Sequence, residues 1–501
     1  MDSASPAEPI TVDPRTAGPP PLPGMRRRIL LAAGGALGLA GVVGVGGAAR
    51  AAGSLATVSV DLARSRGAFP FGLGRQLSAA PKSWRYGTDA TASLDSLRLQ
   101  RARVWLKYPD MAPVGGGAPV YDGGEAYLDY WAARADRLLL NWQTGYDQFA
   151  SQPGFSLDAF VAAQAAALTH YKTRYPEIDL VEAENEDFGS GEGVAGYYVK
   201  YTVVYRVVAA VNQAIAAGRV PGPALKVGGP AIDVFSELRL GQFLDAYRAD
   251  PRGDKRLDFV SYHQYLINTG SGDWTATKDY PAVVAGERAR VTQLLSARGL
   301  PVVPVHVTEI GIFPGTRASS LGFEADLHIQ AAALASLHYH YCGQPGIVPF
   351  DWTVDHPEND RKDLFVDTGT GVPRPYLNAL GMLSMLPGTR YVAASDSLSA
   401  RGTGVYGLAG ADPARIAVMT WNYQWTATAG YDSRIVLGNL PSAFRTRMIR
   451  VTRYRQAATV HSGALAPVET FTIGPRTSGT YYGQTLPLMP NELRLTVLAL
   501  T

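Results

Sequence analysis

Two glutamates carry the chemistry that this sequence offers most directly. Glu186 closes a strand-like run that begins at Ile178 and stands directly after Asn185, and Glu309 closes a second run that begins at Val302. Paired carboxylates on different strands are what cleavage of a glycosidic bond requires: one acid protonates the departing oxygen and one anion attacks the sugar carbon. A carboxyl separation of about 5–5.5 Å implies direct attack with retention of configuration, whereas roughly 6.5–9.5 Å leaves room for a water and implies inversion.

The elements that carry these residues must converge. Short apolar runs bounded by Gly, Pro or Asp occur at Phe69–Gly74, Gln100–Lys107, Leu138–Thr144, Ile178–Glu186, Leu225–Gly229, Leu257–Gln264, Val302–Glu309 and Gly346–Trp352. They read as buried parallel strands. Helical patterns accompany them at Ser156–Tyr175, Gly193–Gly218, Val234–Arg248, Pro281–Arg298, Gly322–Tyr341 and Pro375–Leu386, with Ser156 placed as an N-cap. This alternation predicts an α/β fold, a (β/α)8 TIM barrel over residues 69–387. An open doubly wound sheet is the alternative. Residues 388–501 change to short alternating runs at Arg390–Ala394, Gly404–Leu408, Arg415–Asn422, Ser433–Leu437, Arg447–Tyr454, Glu469–Ile473 and Glu492–Ala499. They predict an accessory C-terminal all-β sandwich domain. The run Leu55–Leu62, within residues 52–68, lies outside the barrel and is placed to join that sheet.

Polar side chains at the C-terminal ends of barrel strands meet at one mouth. That rule selects Arg103 and Trp105 from the second strand, Asn141 from the third, Asn185 and Glu186 from the fourth, Tyr262, His263 and Tyr265 from the sixth, Glu309 from the seventh and Trp352 from the eighth. Trp142 reads as core. Aromatic faces suit the apolar face of a pyranose, and the polar groups suit its hydroxyls.

The strand-four Asn185-Glu186, the strand-seven Glu309 and the strand-six stretch Ser261-Tyr262-His263-Gln264-Tyr265 resemble the clan A glycoside hydrolases. Within that clan, the stretch from Lys226 to Ala231, the stretch from Asp258 to Tyr265 and the late Pro373-Arg374-Pro375 look most like family 39, over roughly residues 69–390. The resemblance implies that Glu186 is the general acid/base and Glu309 the nucleophile. It further implies that Asn185 binds the sugar 2-hydroxyl and that Tyr262, His263 and Arg103 orient the nucleophile. Asp187 and Glu184 depart from the common pattern. A crowd of carboxylates there is expected to raise the pKa of Glu186.

Composition sets the partners. The chain of 501 residues is 46% hydrophobic and 18% charged, an ordinary globular balance. Residues 1–51 read as a disordered segment followed by a twin-arginine-like export signal, with Arg26-Arg27-Arg28 before an apolar run and Ala49-Arg50-Ala51 as the cleavage site. An uncleaved membrane anchor is the alternative. This leader carries five arginines and three acids, so without it the formal charge falls from +3 to +1. A near-neutral chain gives no electrostatic case for nucleic acid. The single Cys342 excludes an internal disulfide.

Three other patterns are weighed and set aside. Gly191, Gly193 and Gly196 spell a GxGxxG, yet no acid follows at the distance a dinucleotide site needs. His338, His340 and Cys342 suggest a metal cluster, but the spacing scatters them around a helix. HExxH, P-loop and GxSxG motifs are absent from the sequence. The reading therefore calls for a carbohydrate substrate, no cofactor, no metal and no nucleotide. A non-catalytic carbohydrate-binding barrel and a transglycosidase are the alternatives. The orientation of Glu182 is left open.

Overall fold

A computed structural model describes residues 54–81, 83–114, 117–189, 193–266, 279–312, 327–355, 363–426 and 429–501. Residues 1–53, on which the expected export signal falls, Gly191 and Glu192 of the GxGxxG stretch and the loop residues 267–278 lie outside the described residues. Among the described residues no helix is long and apolar enough to cross a membrane.

The chain opens with β1 (Ser54–Ala68) and then builds the barrel from β2 (Gln76–Ser78), β3 (Leu99–Lys107), β4 (Ala135–Gln143), β5 (Ile178–Ala183), β6 (Lys226–Ile232), β7 (Phe259–Tyr265), β8 (Val305–Gly311) and β9 (Ile347–Trp352). These eight strands pair in parallel in chain order, and β9 closes onto β2. The closed barrel settles the choice against an open sheet. Its first strand is not at Phe69–Gly74: it is the three-residue Gln76–Ser78. The apolar run before it packs at the N-terminal end of the barrel, with Phe71 and Leu73 buried.

Strand alternation divides each side-chain set between the interior and the helix layer. On β3, Ala102, Val104 and Leu106 join the main core outside the barrel, while Arg103 and Trp105 point inward. The interior is layered. At its base Leu139, Leu180, Phe259 and Phe350 form an apolar plug, with the His306 ring 4.9 Å from Phe259 and 6.0 Å from Phe350. Burial pushes the His306 imidazole down to about 3, so it is neutral. Above the plug lies a polar layer of Arg103, Asn141, Glu182 and Thr308. Two glycines let β6 fit this wall. A Cβ on Gly228 would sit 2.3 Å from the Phe259 carbonyl oxygen, and one on Gly229 would sit 2.4 Å from the Tyr197 hydroxyl.

The remaining strands are β10 (Thr389–Ser395), β11 (Gly404–Ala411), β12 (Arg415–Tyr423), β13 (Tyr431–Gly438), β14 (Ile449–Gln456), β15 (Pro467–Ile473), β16 (Tyr481–Tyr482), β17 (Leu486–Leu488) and β18 (Leu493–Leu500). The all-β domain takes the form of one curled ten-stranded sheet, in the order β15-β14-β18-β12-β11-β10-β1-β13-β16, with β17 also on β13. Strand β1 completes it, antiparallel to β10 and parallel to β13. Both faces of its centre are covered. Ile416 and Val418 of β12 enter a second core inside the curl, whereas Ala417, Met419 and Trp421 face the barrel helices. There the Trp421 indole donates to Ser336 Oγ at 2.9 Å, on the helix Leu327–Tyr341.

Candidate active site

The site is built on Arg103. Its guanidinium is wholly buried inside the barrel and donates from Nε to Glu182 Oε2 (2.7 Å), from Nη1 to Glu309 Oε1 (2.8 Å) and to Ser78 Oγ (3.2 Å), and from Nη2 to Asn185 Oδ1 (2.7 Å). One rigid fork thus fixes residues from β2, β5, β8 and the turn after β5. Glu182 is balanced on its other oxygen by the Thr308 hydroxyl at 2.7 Å.

A bulge in β8 makes this possible. Tyr262 pairs with Val307 and His263 with Glu309, so Thr308 is the extra residue. Thr308 and Glu309 therefore both enter the interior, at different depths. Glu309 accepts from the Tyr265 hydroxyl at Oε2 (2.5 Å), and His263 Nδ1 lies 3.5 Å from the same oxygen.

Glu186 stands opposite, after the end of β5. His263 Nδ1 is 2.7 Å from Glu186 Oε1, and one oxygen from each glutamate and this nitrogen all lie within 4.8 Å of one another. The two carboxyls differ in exposure: the Glu186 side chain is 38% exposed and that of Glu309 is 6%. Burial works against an imidazolium at His263, but the charge of Glu309 and the bond to Glu186 outweigh it and raise its pKa above the ordinary value.

The turn that presents Glu186 is strained. Glu184 (φ 56°) and Glu186 (φ 53°) occupy the left-handed region, as does Ala231 (φ 51°) of β6. Neighbouring strands hold it there. Glu186 N–H donates to the Ala231 carbonyl (3.0 Å), Glu184 N–H to the Trp142 carbonyl (3.1 Å), and Asn141 Nδ2 to the Glu184 carbonyl (2.5 Å). The Glu184 carboxylate is buried and accepts from the Thr144 N–H (2.9 Å) and hydroxyl, and burial raises its pKa to about 7. Asp187 takes Lys200 at 2.7 Å. The acids expected to crowd Glu186 are thus each claimed by a partner of their own.

Above the carboxylates, Trp105, Trp352 and Tyr265 cluster with Ala80, the two indole rings 5.8 Å apart. The indole N–H of both tryptophans and Nε2 of His263 are buried with no hydrogen-bond partner among the described residues. The two indoles are donors, and Nε2 donates from the imidazolium and accepts in the neutral ring with the proton on Nδ1, so all three are held ready for a polar ligand.

Two expected members are corrected. Tyr262 does not face the mouth: its hydroxyl donates to Glu287 Oε2 at 2.8 Å, on the helix Glu287–Ser296, and its ring packs on Phe235. Adjacent strand residues point to opposite faces, so His263 inward forces Tyr262 outward. Asn141 is interior but fully buried, and its amide is spent on Glu182 Oε2 (3.0 Å) and the Glu184 carbonyl, so it supports the turn instead of reaching a substrate. Glu182, whose orientation the sequence left open, faces the barrel interior, and Thr308 was missed. Their signal is a charged and a hydroxyl side chain inside otherwise apolar strands.

Among the described residues, only Glu186, His263 and Glu309 bring three metal-ligating atoms together. Their surroundings favour a shared proton over a cation, because Arg103 and Tyr265 already donate to both oxygens of Glu309. Near the C-terminal end of the helix Leu327–Tyr341, His338 and His340 have separate partners, Asp351 (2.8 Å) and Tyr406 (3.2 Å).

No protein-family model and no curated protein sequence matches this chain. Solved structures do. A glucosidase from Croceicoccus marinus superposes with a TM-score of 0.65 at 15% identity, covering 89% of this chain and 99% of that one. A monomeric beta-xylosidase from Caulobacter crescentus CB15 gives 0.62 at 16% identity, over 88% and 99%. The GH39 enzyme from Xanthomonas axonopodis pv. citri gives 0.60 at 16% identity, over 90% and 98%. The fold is that of the glycoside hydrolase barrels. Coverage this complete takes in the curled sheet as well as the barrel.

Proposed function

We propose that this chain is an exported, retaining glycoside hydrolase of the family 39 type that cleaves O-glycosidic bonds of an oligo- or polysaccharide by double displacement. The observation that carries the reading is the approach of one oxygen of Glu186 and one of Glu309 to within 4.8 Å, which suits the roughly 5–5.5 Å carboxyl separation of direct attack better than the roughly 6.5–9.5 Å of inversion.

Roles follow from the surroundings. Glu309 is buried and accepts charge-assisted and hydroxyl bonds from Arg103 and Tyr265, which stabilise its anion and aim it. It is the nucleophile. Glu186 is more exposed and 2.7 Å from His263, so a proton can sit between them; it is the acid/base. In the first step an oxygen of Glu309 bonds to the anomeric carbon as the bond to the leaving oxygen breaks and that oxygen takes the Glu186 proton. In the second, Glu186 takes a proton from water, the water oxygen bonds to the anomeric carbon, and Glu309 departs as its anion. Asn185, fixed through its Oδ1 by Arg103, keeps its amide N–H groups for a sugar hydroxyl beside the reacting carbon.

The test is direct. Glu309→Gln and Glu186→Gln should each abolish hydrolysis of a panel of aryl glycosides, and a 2-fluoro-sugar should label Glu309 covalently. Sugar binding with no turnover by the unaltered chain, or full activity in either variant, would overturn the reading. Export is checked by fractionating cells and sequencing the mature N-terminus, expected just after Ala51.

A further inference from the structure

Both connections between the barrel and the curled sheet run along one cavity of about 740 Å³. Residues 68–75, leading from β1 into β2, form one wall, and residues 381–388, leading from the helix Pro375–Ser384 into β10, form the other. Phe69 N–H ties the walls together through the Gly388 carbonyl at 3.1 Å. The cavity lies at the N-terminal ends of β2 and β3, the opposite end of the barrel from Glu186 and Glu309.

Its charge is one-sided. Arg75, Arg98 and Arg415 line it, and among the described residues no carboxylate does. Arg415 is paired with Asp412 at 3.1 Å and Arg75 donates to the Ser384 carbonyl at 3.0 Å. Arg98 has no side-chain partner among the described residues. Burial, and then the charge of Arg98, hold Arg75 below its ordinary pKa, with Asp136 opposing and Arg415 adding to the effect. Guanidinium groups gathered at a partly covered surface repel one another until an anion joins them. The space far exceeds a single oxyanion and falls in the range of small-molecule sites. Phe69 and Phe71 supply apolar surface, while Ser96 and Gln100 add neutral polar groups.

We propose that this cavity binds an acidic saccharide, a sugar bearing a carboxylate or sulfate group, at a site separate from the two glutamates. The anion requirement stands on Arg98, which has no side-chain partner among the described residues, beside Arg75, whose bond is to a neutral carbonyl, and the already paired Arg415; the choice of a saccharide rests on the function proposed above. Because both interdomain connections line the cavity, an occupant braces the barrel against the sheet.

Calorimetric titration of the full chain with a glucuronic acid tetrasaccharide, its uncharged glucose counterpart and inorganic sulfate tests this. The acidic tetrasaccharide should bind, with the other two at least about tenfold weaker, and Arg98→Gln should lower its affinity about tenfold through loss of a charge-assisted bond. Arg98 is exposed, so this variant keeps the fold, and its hydrolysis of an uncharged aryl glycoside should be unchanged. Equal binding of acidic and neutral sugars, or no effect of Arg98→Gln, overturns the site. Sulfate binding as tightly as the tetrasaccharide overturns the saccharide assignment. Failure of the unaltered chain to hydrolyse any aryl glycoside counts against the proposed function, whereas arginine-dependent binding is read independently of it.

Discussion

Arg103 and Glu309 form an ion pair inside the barrel, Nη1 to Oε1 at 2.8 Å, with the arginine wholly buried. The pair is part of a larger balance, since Arg103 also answers Glu182 and so faces two carboxylates with one charge. Replacing Arg103 by Met leaves both acids buried without the guanidinium, Glu182 held only by Thr308 and Asn141 and Glu309 by Tyr265 and His263. A loss of about 3–5 kcal/mol is expected from urea denaturation, together with loss of turnover. Adding Glu309→Gln to Arg103→Met should return part of the stability while activity stays absent. That split separates the cost of an unpaired charge from the loss of a nucleophile.

His263 makes the second prediction. The imidazole pKa is raised by Glu309 and Glu186 against the effect of burial. A histidine whose folded pKa exceeds its unfolded value contributes stability that is fully present below the unfolded value, near 6.5, and is lost as pH rises through the folded value. The stability gap between the unaltered protein and His263→Asn should therefore narrow as pH increases from about 5.5 to 9. In catalysis, loss of the proton shared with Glu186 ends acid function. His263→Asn should accordingly move the basic limb of the kcat/KM profile to lower pH, and an unmoved limb would refute the sharing.

Much of this was legible in the sequence, and the exceptions have physical causes. Seven of the eight barrel strands were found because a parallel strand covered on both faces is a continuous apolar run. The first was misplaced because Gln76–Ser78 is short and polar at its ends, while the apolar run at Phe69–Gly74 is buried for another reason, under the barrel. Strand ends gave Arg103, Asn185, Glu186, His263, Tyr265 and Glu309 because the mouth collects them. Tyr262 failed by one residue, since a list of strand-end residues ignores which face each occupies. Thr308 was missed for the opposite reason, although a hydroxyl inside an apolar strand was a signal for it. A bulge suspends the alternation in β8, and nothing in the residue types announces it.

The turn carrying Glu186 yields a third prediction. Thr144 gives both its N–H and its hydroxyl to the buried Glu184 carboxylate. Thr144→Val keeps the shape and removes the hydroxyl donor, at a cost of about 1–3 kcal/mol for an under-satisfied buried acceptor. Glu184 and Glu186 share one strained turn, so kcat should fall while binding of a non-hydrolysed substrate analogue is retained. A fall in stability with kcat unchanged would mean that the turn does not position the acid.

Glu287 lies outside the barrel, buried in the helix layer, and accepts at Oε2 from the Tyr262 hydroxyl (2.8 Å) and the Tyr341 hydroxyl (3.0 Å). Burial raises its pKa from 4.5 to about 7, and the two hydroxyls only partly oppose this. Between those values the unfolded chain is ionised where the folded one holds a proton. Stability from this group is therefore highest below about 4.5, declines as pH rises towards 7 and is flat above it. Glutamine keeps an oxygen that accepts from both tyrosines and has no charge to bury. Glu287→Gln should match the unaltered protein near pH 4.5 and exceed it by about 2 kcal/mol at pH 8, somewhat below the full linkage value because the site relaxes. Urea midpoints measured across that range decide it: a variant less stable at pH 8 would show that Glu287 is held as an anion by its two tyrosines.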